Sequence, residues 1–232
     1  MKLVHRILSV SLIGLVAAAA ATSQEKVDPA APAKADDITL GFKAYVIAEP
    51  RFPPDDVRNP VGKKPRNPVD LVTEHGLAPV VAVFSRAIPA DANAPLAAVV
   101  KKLDTLADDK DYKARRLGTF LVFLSLQNEF RKDPMVDAKT REISQFVVGV
   151  KPTKTTIAMA EATETPDGTE QPLVPAQVTA FGIGAEDDLV IVFYYKFTVI
   201  KRWKFKVSTP PTEADLTALG DEVAKLLSPK KK

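Results

Sequence analysis

No cysteine occurs among the 232 residues. That absence removes thiol catalysis, thiolate metal ligation, haem attachment and every disulfide. Histidine is nearly missing too, with only His5 and His75. Sites built from several imidazoles are therefore out of reach. The chain also lacks a strong charge of one sign. Its 32 basic and 29 acidic residues leave a formal charge of +3. Without Lys2 and Arg6 the charge is +1, because residues 1–21 hold no acid. A nearly neutral chain has no global attraction to nucleic acid or to an acidic membrane, and neither is expected as a partner.

What is present begins with an address. Lys2 and Arg6 precede an apolar run over residues 7–16, and small residues follow at 17–21. This is the pattern of a secretory signal peptide, with cleavage expected after Ala21 or Ser23. The run is shorter than the ~20 residues that span a bilayer, so no stable membrane insertion is expected after cleavage. Retention as an anchor is the alternative. No cysteine follows the run, which excludes lipid attachment. About 210 residues then remain, enough for one domain with a full core. Export would permit disulfides, so in this chain stability must come from burial.

Residues 22–37 are an Ala/Pro/charged stretch with little to bury, and a disordered linker is expected there. The domain is expected over 38–228, with a basic tail at 229–232. Structure should begin near Thr39, where Leu40, Phe42, Ala44 and Val46 alternate with polar or small residues. Residues 50–68 carry six prolines and read as a long surface loop. Residues 79–84, P-V-V-A-V-F, and 118–126 are continuously apolar, as strands buried on both faces should be. Between them Asn93 is expected to cap a helix with Pro95 in its first turn. Leu96, Val99, Val100, Leu103 and Leu106 fall on its inner face.

A second helix, opened by Asp137, presents Ile143, Phe146, Val147 and Val150. A short strand is expected at 155–160, a polar loop at 163–171, and a short helix at 175–181 stopped by Gly182. The strand at 188–195 is apolar. Residues 198–207 alternate, with Val199, Trp203, Phe205 and Val207 inward and Arg202, Lys204 and Lys206 outward. Their connecting turn, near Lys196, lacks the usual Gly or Asn. Thr212 and Asp215 form a capping box for a last helix carrying Leu216, Leu219, Val223, Leu226 and Leu227. Strands alternating with helices and ending in a hairpin imply an α/β fold, with a mixed central sheet flanked by helices.

This order resembles the thioredoxin-like superfamily. The added short strand and the segment Ala180-Phe181-Gly182-Ile183 resemble its TlpA and peroxiredoxin branch. Residues 70–86, D-L-V-T-E-H-G-L-A-P-V-V-A-V-F-S-R, resemble exported bacterial members in which Cys-x-x-Cys precedes an aromatic-Gly and an apolar strand. By that resemblance Asp70 and Thr73 stand at the thiol positions, and His75-Gly76 replaces the aromatic-Gly. In thioredoxins proper the cysteines follow the strand instead, around residues 89–92. Asp187 stands where a cis-proline is expected. The resemblance therefore implies the fold without thiol redox chemistry. It implies an exported, periplasmic or secreted protein whose partner is another exported protein or peptide. The contact surface expected from it is the mouth near Asp70, Thr73, His75 and Asp187, together with the proline-rich loop. No cofactor or bound metal is expected.

Several side chains invite other chemistry. His75 with Asp70 and Glu74 suggests a weak metal site or an acid/base pair, and with it a non-thiol, metal-assisted or hydrolytic enzyme. An ordinary loop histidine is the plainer reading. Ser85 lacks the turn and base that a nucleophile needs. Glu186-Asp187-Asp188 offers oxygen ligands to a hard cation, or simply a solvated loop. K-R-W-K-F-K at 201–206 suggests anion or sugar binding, although strand alternation explains it more simply.

Overall fold

The computed structural model describes residues 37–38, 40–49, 68–91, 93–124, 133–160 and 176–228. The expected signal peptide, nearly all of the linker, residues 50–67 of the proline-rich loop expected at 50–68, the loop at 163–171 and the basic tail lie outside these residues. Among the described residues no helix is long and apolar enough to cross a membrane.

Seven strands form one sheet: β1 (Lys43–Ala48), β2 (Val69–Asp70), β3 (Val80–Ser85), β4 (Gly118–Phe123), β5 (Thr156–Ala160), β6 (Leu189–Tyr195) and β7 (Thr198–Phe205). Their spatial order is β2-β1-β5-β4-β3-β6-β7. Strand β3 pairs in parallel with β4, placing Val80 opposite Gly118. It pairs antiparallel with β6, placing Val80 opposite Tyr194 and Ser85 opposite Leu189. All residues of β3 and β4 are buried. The continuous apolar runs are thus explained: both faces of these strands are covered by helices, so no position needs to be polar.

On one face lie α2 (Pro95–Asp108), α4 (Asp133–Val150) and α6 (Glu213–Leu227). Leu103, Ile143, Phe146, Leu219 and Val223 meet Val81, Val83, Leu121 and Phe123 of the sheet there. The other face is covered by the short helices α1 (Leu71–His75) and α5 (Ala176–Ala180), together with Phe42 and Phe181. Rings of Phe42, Phe84 and Phe181 pack 4.8–5.8 Å apart, at the tilted and edge-on angles that aromatic quadrupoles favour.

The helix boundaries follow local chemistry. The capping box is present at α6, where Thr212 and Asp215 bond each other's backbone N–H. Helix α2 begins at Pro95, but its cap is Ala94 and no side chain caps it. Asn93 instead donates its backbone N–H to the Asp91 carboxylate. A turn made by Asp91 therefore displaces the expected asparagine cap. Helix α4 starts at Asp133, four residues before the expected Asp137, because Pro134 is tolerated in a first turn. A short helix α3 (Lys110–Ala114), capped by Asp109, carries no apolar stripe and had no periodic signal. Order also begins earlier than Thr39: Asp37 bridges Thr198, and Ile38 is buried.

Three features of β7 differ from strict alternation. Val199, expected on the face of Trp203 and Phe205, packs against the other core cluster, because the ladder with β6 shifts register between Phe193 and Tyr194. Arg202 is partly buried and donates through Nε to the Phe181 carbonyl, because α5 covers that side of the strand. Val207, expected inward, is 71% exposed, since it lies beyond the end of β7. Trp203 is partly buried against the larger core cluster, as the alternation predicted. The preceding turn is made by Lys196 and Phe197 at φ +52 and +63. Two left-handed residues give the twist a tight hairpin needs, at the cost of placing two Cβ atoms where glycine or asparagine is usual.

One carboxylate joins distant parts of the chain. Asp104 of α2 accepts backbone N–H bonds from Thr153, Lys154 and Thr155, at 2.6, 3.1 and 2.8 Å, and hydroxyl bonds from both threonines. The segment entering β5 is thereby tied to α2.

Two outcomes follow for stability. Lys196→Asn should raise the unfolding free energy by about 0.5 kcal/mol, because asparagine tolerates the left-handed region better. Asp104→Ala should lower it by about 2 kcal/mol, by leaving several donors without their acceptor. Urea midpoints with unchanged m-values check both.

Candidate functional site

The four residues expected to share one mouth do not converge. His75 lies beside Gly118, which pairs with Val80 at the start of β3, while Asp70, on the edge strand β2, pairs with Lys43. Asp187 lies beside the opposite end, just before Leu189, which pairs with Ser85. The six residues of β3 separate the two ends by about 17 Å. Asp70 and Asp187 are also parted across the sheet: β1, β5, β4 and β3 lie between β2 and β6.

Asp70 is the N-cap of α1. Its Oδ1 accepts the N–H groups of Val72 at 3.1 Å and Thr73 at 3.2 Å, and also that of Phe42 at 3.0 Å. Its Oδ2 accepts the Thr73 hydroxyl at 2.8 Å. Burial opposes ionisation of Asp70, but these donors outweigh it and hold the carboxyl below its ordinary range. Asp70 and Thr73 thus bond each other. Gly41 lies so close to Asp70 that a Cβ there would collide with the carboxylate.

His75 ends α1. Its ring stacks on Phe120 with centroids 5.8 Å apart, and a Cβ at Gly118 would strike it. It lines a cleft of about 530 Å³ together with Glu49, Glu74, Arg116, Leu117, Gly118, Thr119, Lys154 and Thr156. Sequence spacing gave no hint that Arg116 and Lys154 would join it. Nearby, the fully buried Tyr194 has its phenol pushed well above its ordinary range, by burial and then by the field of Asp70.

At the second end, Asp187 is 6% exposed rather than part of a solvated loop. Its carboxylate accepts the Gly184 N–H and the Lys204 ammonium, each at 2.7 Å. Burial opposes the charge, but the Lys204 hydrogen bond, the Gly184 N–H and the fields of Lys204 and Lys206 prevail and lower its pKa. Arg86 holds the same loop through its carbonyls: Nε donates to Asp187 O and Nη2 to Gly184 O, both at 2.9 Å. Lys206 donates to the Glu186 carbonyl, and Val207 N–H to the Asp188 carboxylate. A knot of charged hydrogen bonds therefore fixes the loop at the position where the resemblance calls for a proline. No cis peptide bond occurs among the described residues.

Beside this loop opens a mainly apolar groove of about 230 Å³. Ser85, Ala87 and Pro89 follow β3, Ala94, Pro95 and Leu96 open α2, and Asp188, Leu189, Lys206, Val207, Pro210 and Pro211 complete it. Ser85 is buried and its hydroxyl donates to the Ala87 carbonyl at 2.8 Å, so it is not poised as a nucleophile. Among the described residues no three His, Asp or Glu side chains are grouped to hold a metal ion.

The groove lies where α2 starts after β3 and faces the loop before β6. Strands β4-β3-β6-β7, with β3 and β4 parallel, β6 and β7 antiparallel, a crossing helix α2 and a closing helix α6, decide the architecture. The fold is thioredoxin-like. Its two thiols are absent, so thiol exchange and peroxide reduction by a thiolate cannot occur here. Strand β5 is the added strand expected from residues 155–160.

No protein-family model matches this chain, and no curated protein does. Solved structures with a similar course include a secreted Mycobacterium tuberculosis disulfide oxidoreductase, 15% identical, covering 69% of this chain and 90% of its own, with TM-score 0.41. A Xanthomonas campestris peroxiredoxin Q is 12% identical, covers 82% and 98%, and gives TM-score 0.44. An uncharacterized conserved protein from Geobacillus kaustophilus is 14% identical, covers 84% and 87%, and gives 0.42. These values say nothing of activity; the fold assignment rests on strand order and register.

The lowered pKa of Asp187 fixes the sign of an acid effect. Its contribution to stability is complete above the ordinary aspartate value, about 3.9, and is lost as pH falls through the lower folded value. Asp187→Asn should cost about 1–3 kcal/mol at pH 7 and narrow that gap below pH 4. Urea midpoints measured from pH 7 to pH 2 for both proteins test this; parallel curves would refute it.

Proposed function

We propose that this chain is an exported, non-enzymatic binding domain that receives an apolar stretch of another exported protein or peptide. The observation that carries this reading is the groove at the end of β3. It lies after β3, where thioredoxins proper would present their thiols, yet its walls are largely proline, alanine, leucine and valine. Such a surface suits an apolar side chain or a short apolar peptide, since burial supplies the driving force and no reactive group is needed. The Arg86–Asp187–Lys204 knot keeps one wall rigid, which lowers the ordering cost of binding.

This reading moves the expected contact surface toward Asp187 and away from Asp70, Thr73 and His75. Of the cationic residues of 201–206, Lys206 lines the groove and the others do not. Lys201 is paired with Glu222 and lies over the Trp203 ring, Lys204 is paired with Asp187, and Arg202 is bonded to Phe181. Export rests on the basic start and apolar run of residues 1–21.

Titration with a panel of short apolar and proline-containing peptides tests the groove. Val207 is largely exposed, so Val207→Asp leaves folding intact and should weaken any bound peptide about tenfold by placing a charge beside its apolar contact. Equal affinity for the variant, or no binder in the panel, would remove the groove reading. N-terminal sequencing of the protein from the envelope fraction should find Thr22 or Gln24 first. An intact Met1 on cytosolic protein would contradict export.

A further inference from the structure

We propose that the cleft at the N-terminal ends of β4 and β5 binds a small carboxylate-bearing solute, with Arg116 as the cation that holds it. The site is separate from the groove, at the other end of the sheet.

The argument starts from the backbone. Arg116 follows the C-cap of α3 and has φ +58. Its N–H donates to Lys113 O at 3.0 Å, and the Leu117 N–H to Tyr112 O at 3.2 Å. This pair of bonds is the helix stop in which glycine is the usual left-handed residue, because a Cβ is unfavourable there. An arginine in that place costs stability. Its guanidinium makes no hydrogen bond or ion pair among the described residues that would offset the cost. Strain retained at the lip of a cleft points to a use for the side chain.

The cleft fits that use. It is an open cleft of about 530 Å³, ample for a solute of a few carbon atoms. Lys154, 3.2 Å from Asp108, brings a second cation to the same rim. The His75 ring, stacked on Phe120, forms one wall. A planar guanidinium matches a carboxylate through two parallel hydrogen bonds. Glu49 and Glu74 also line the cleft, and their field opposes a doubly charged guest. A monocarboxylate is therefore favoured over phosphate.

The test is an NMR titration of the full chain with acetate and, separately, with inorganic phosphate, at constant ionic strength so that screening is equal. Acetate should shift the Gly118 and Thr119 amides saturably, and phosphate should bind more weakly. Arg116→Gly should raise Tm, by removing the strain, and weaken acetate roughly tenfold. Arg116→Ala should weaken acetate equally without the gain in Tm, because alanine keeps the left-handed cost. Absence of saturation, phosphate binding as tight as acetate, or an unchanged acetate titration in Arg116→Gly would each overturn the proposal.

Discussion

Strands β3 and β4 are dry on both faces, and the rest of the molecule is arranged around that constraint. A two-sided dry strand has no room for a polar side chain without a partner. Ser85 and Thr119 show the rule at its limits. Each sits at a strand end, and each has a hydroxyl contact, to the Ala87 carbonyl and to Thr155. Polar chemistry is therefore pushed off the sheet to its two ends. One end carries the groove beside Asp187, and the other carries the cleft beside His75. Any ligand must be read by loops and helix ends, with the sheet serving as a rigid spacer.

The loop before β6 shows how a thioredoxin-like frame keeps its shape without its usual fixtures. Asp187 accepts from Gly184 and Lys204, while Arg86 gathers the carbonyls of Gly184 and Asp187. Both charges are tied up in local hydrogen bonds, so the loop is stiff without offering free groups for catalysis. Asp70 does the same at the edge strand β2, where its carboxylate is consumed by α1, Thr73 and Phe42. Acidic residues that look like site chemistry in a linear chain can be structural acceptors in the fold.

Much of the fold was legible because its signals are local. Continuous apolar runs marked β3, β4 and β6, and the Thr212–Asp215 capping box marked the start of α6. The failures came where a competing local bond won. Asp91 took the backbone of Asn93, Pro134 extended α4 backward, and α5 buried Arg202 from outside its own strand. The site was less legible still. The resemblance put Asp70 and Asp187 in one mouth, but four strands lie between β2 and β6, and that strand order is a long-range property. Arg116 carried no motif at all; only its left-handed backbone draws attention to it.

Asp104 closes the chain upon itself across 51 residues to Thr155 through hydrogen bonds alone. In a chain without disulfides this tie acts as a cross-link, with a loop-closure cost met by donors rather than by a covalent bond. Such a staple needs no oxidant, no isomerase and no particular glutathione poise. The domain's folding is thus indifferent to the redox state of its surroundings, and it can reach the same structure on either side of a membrane.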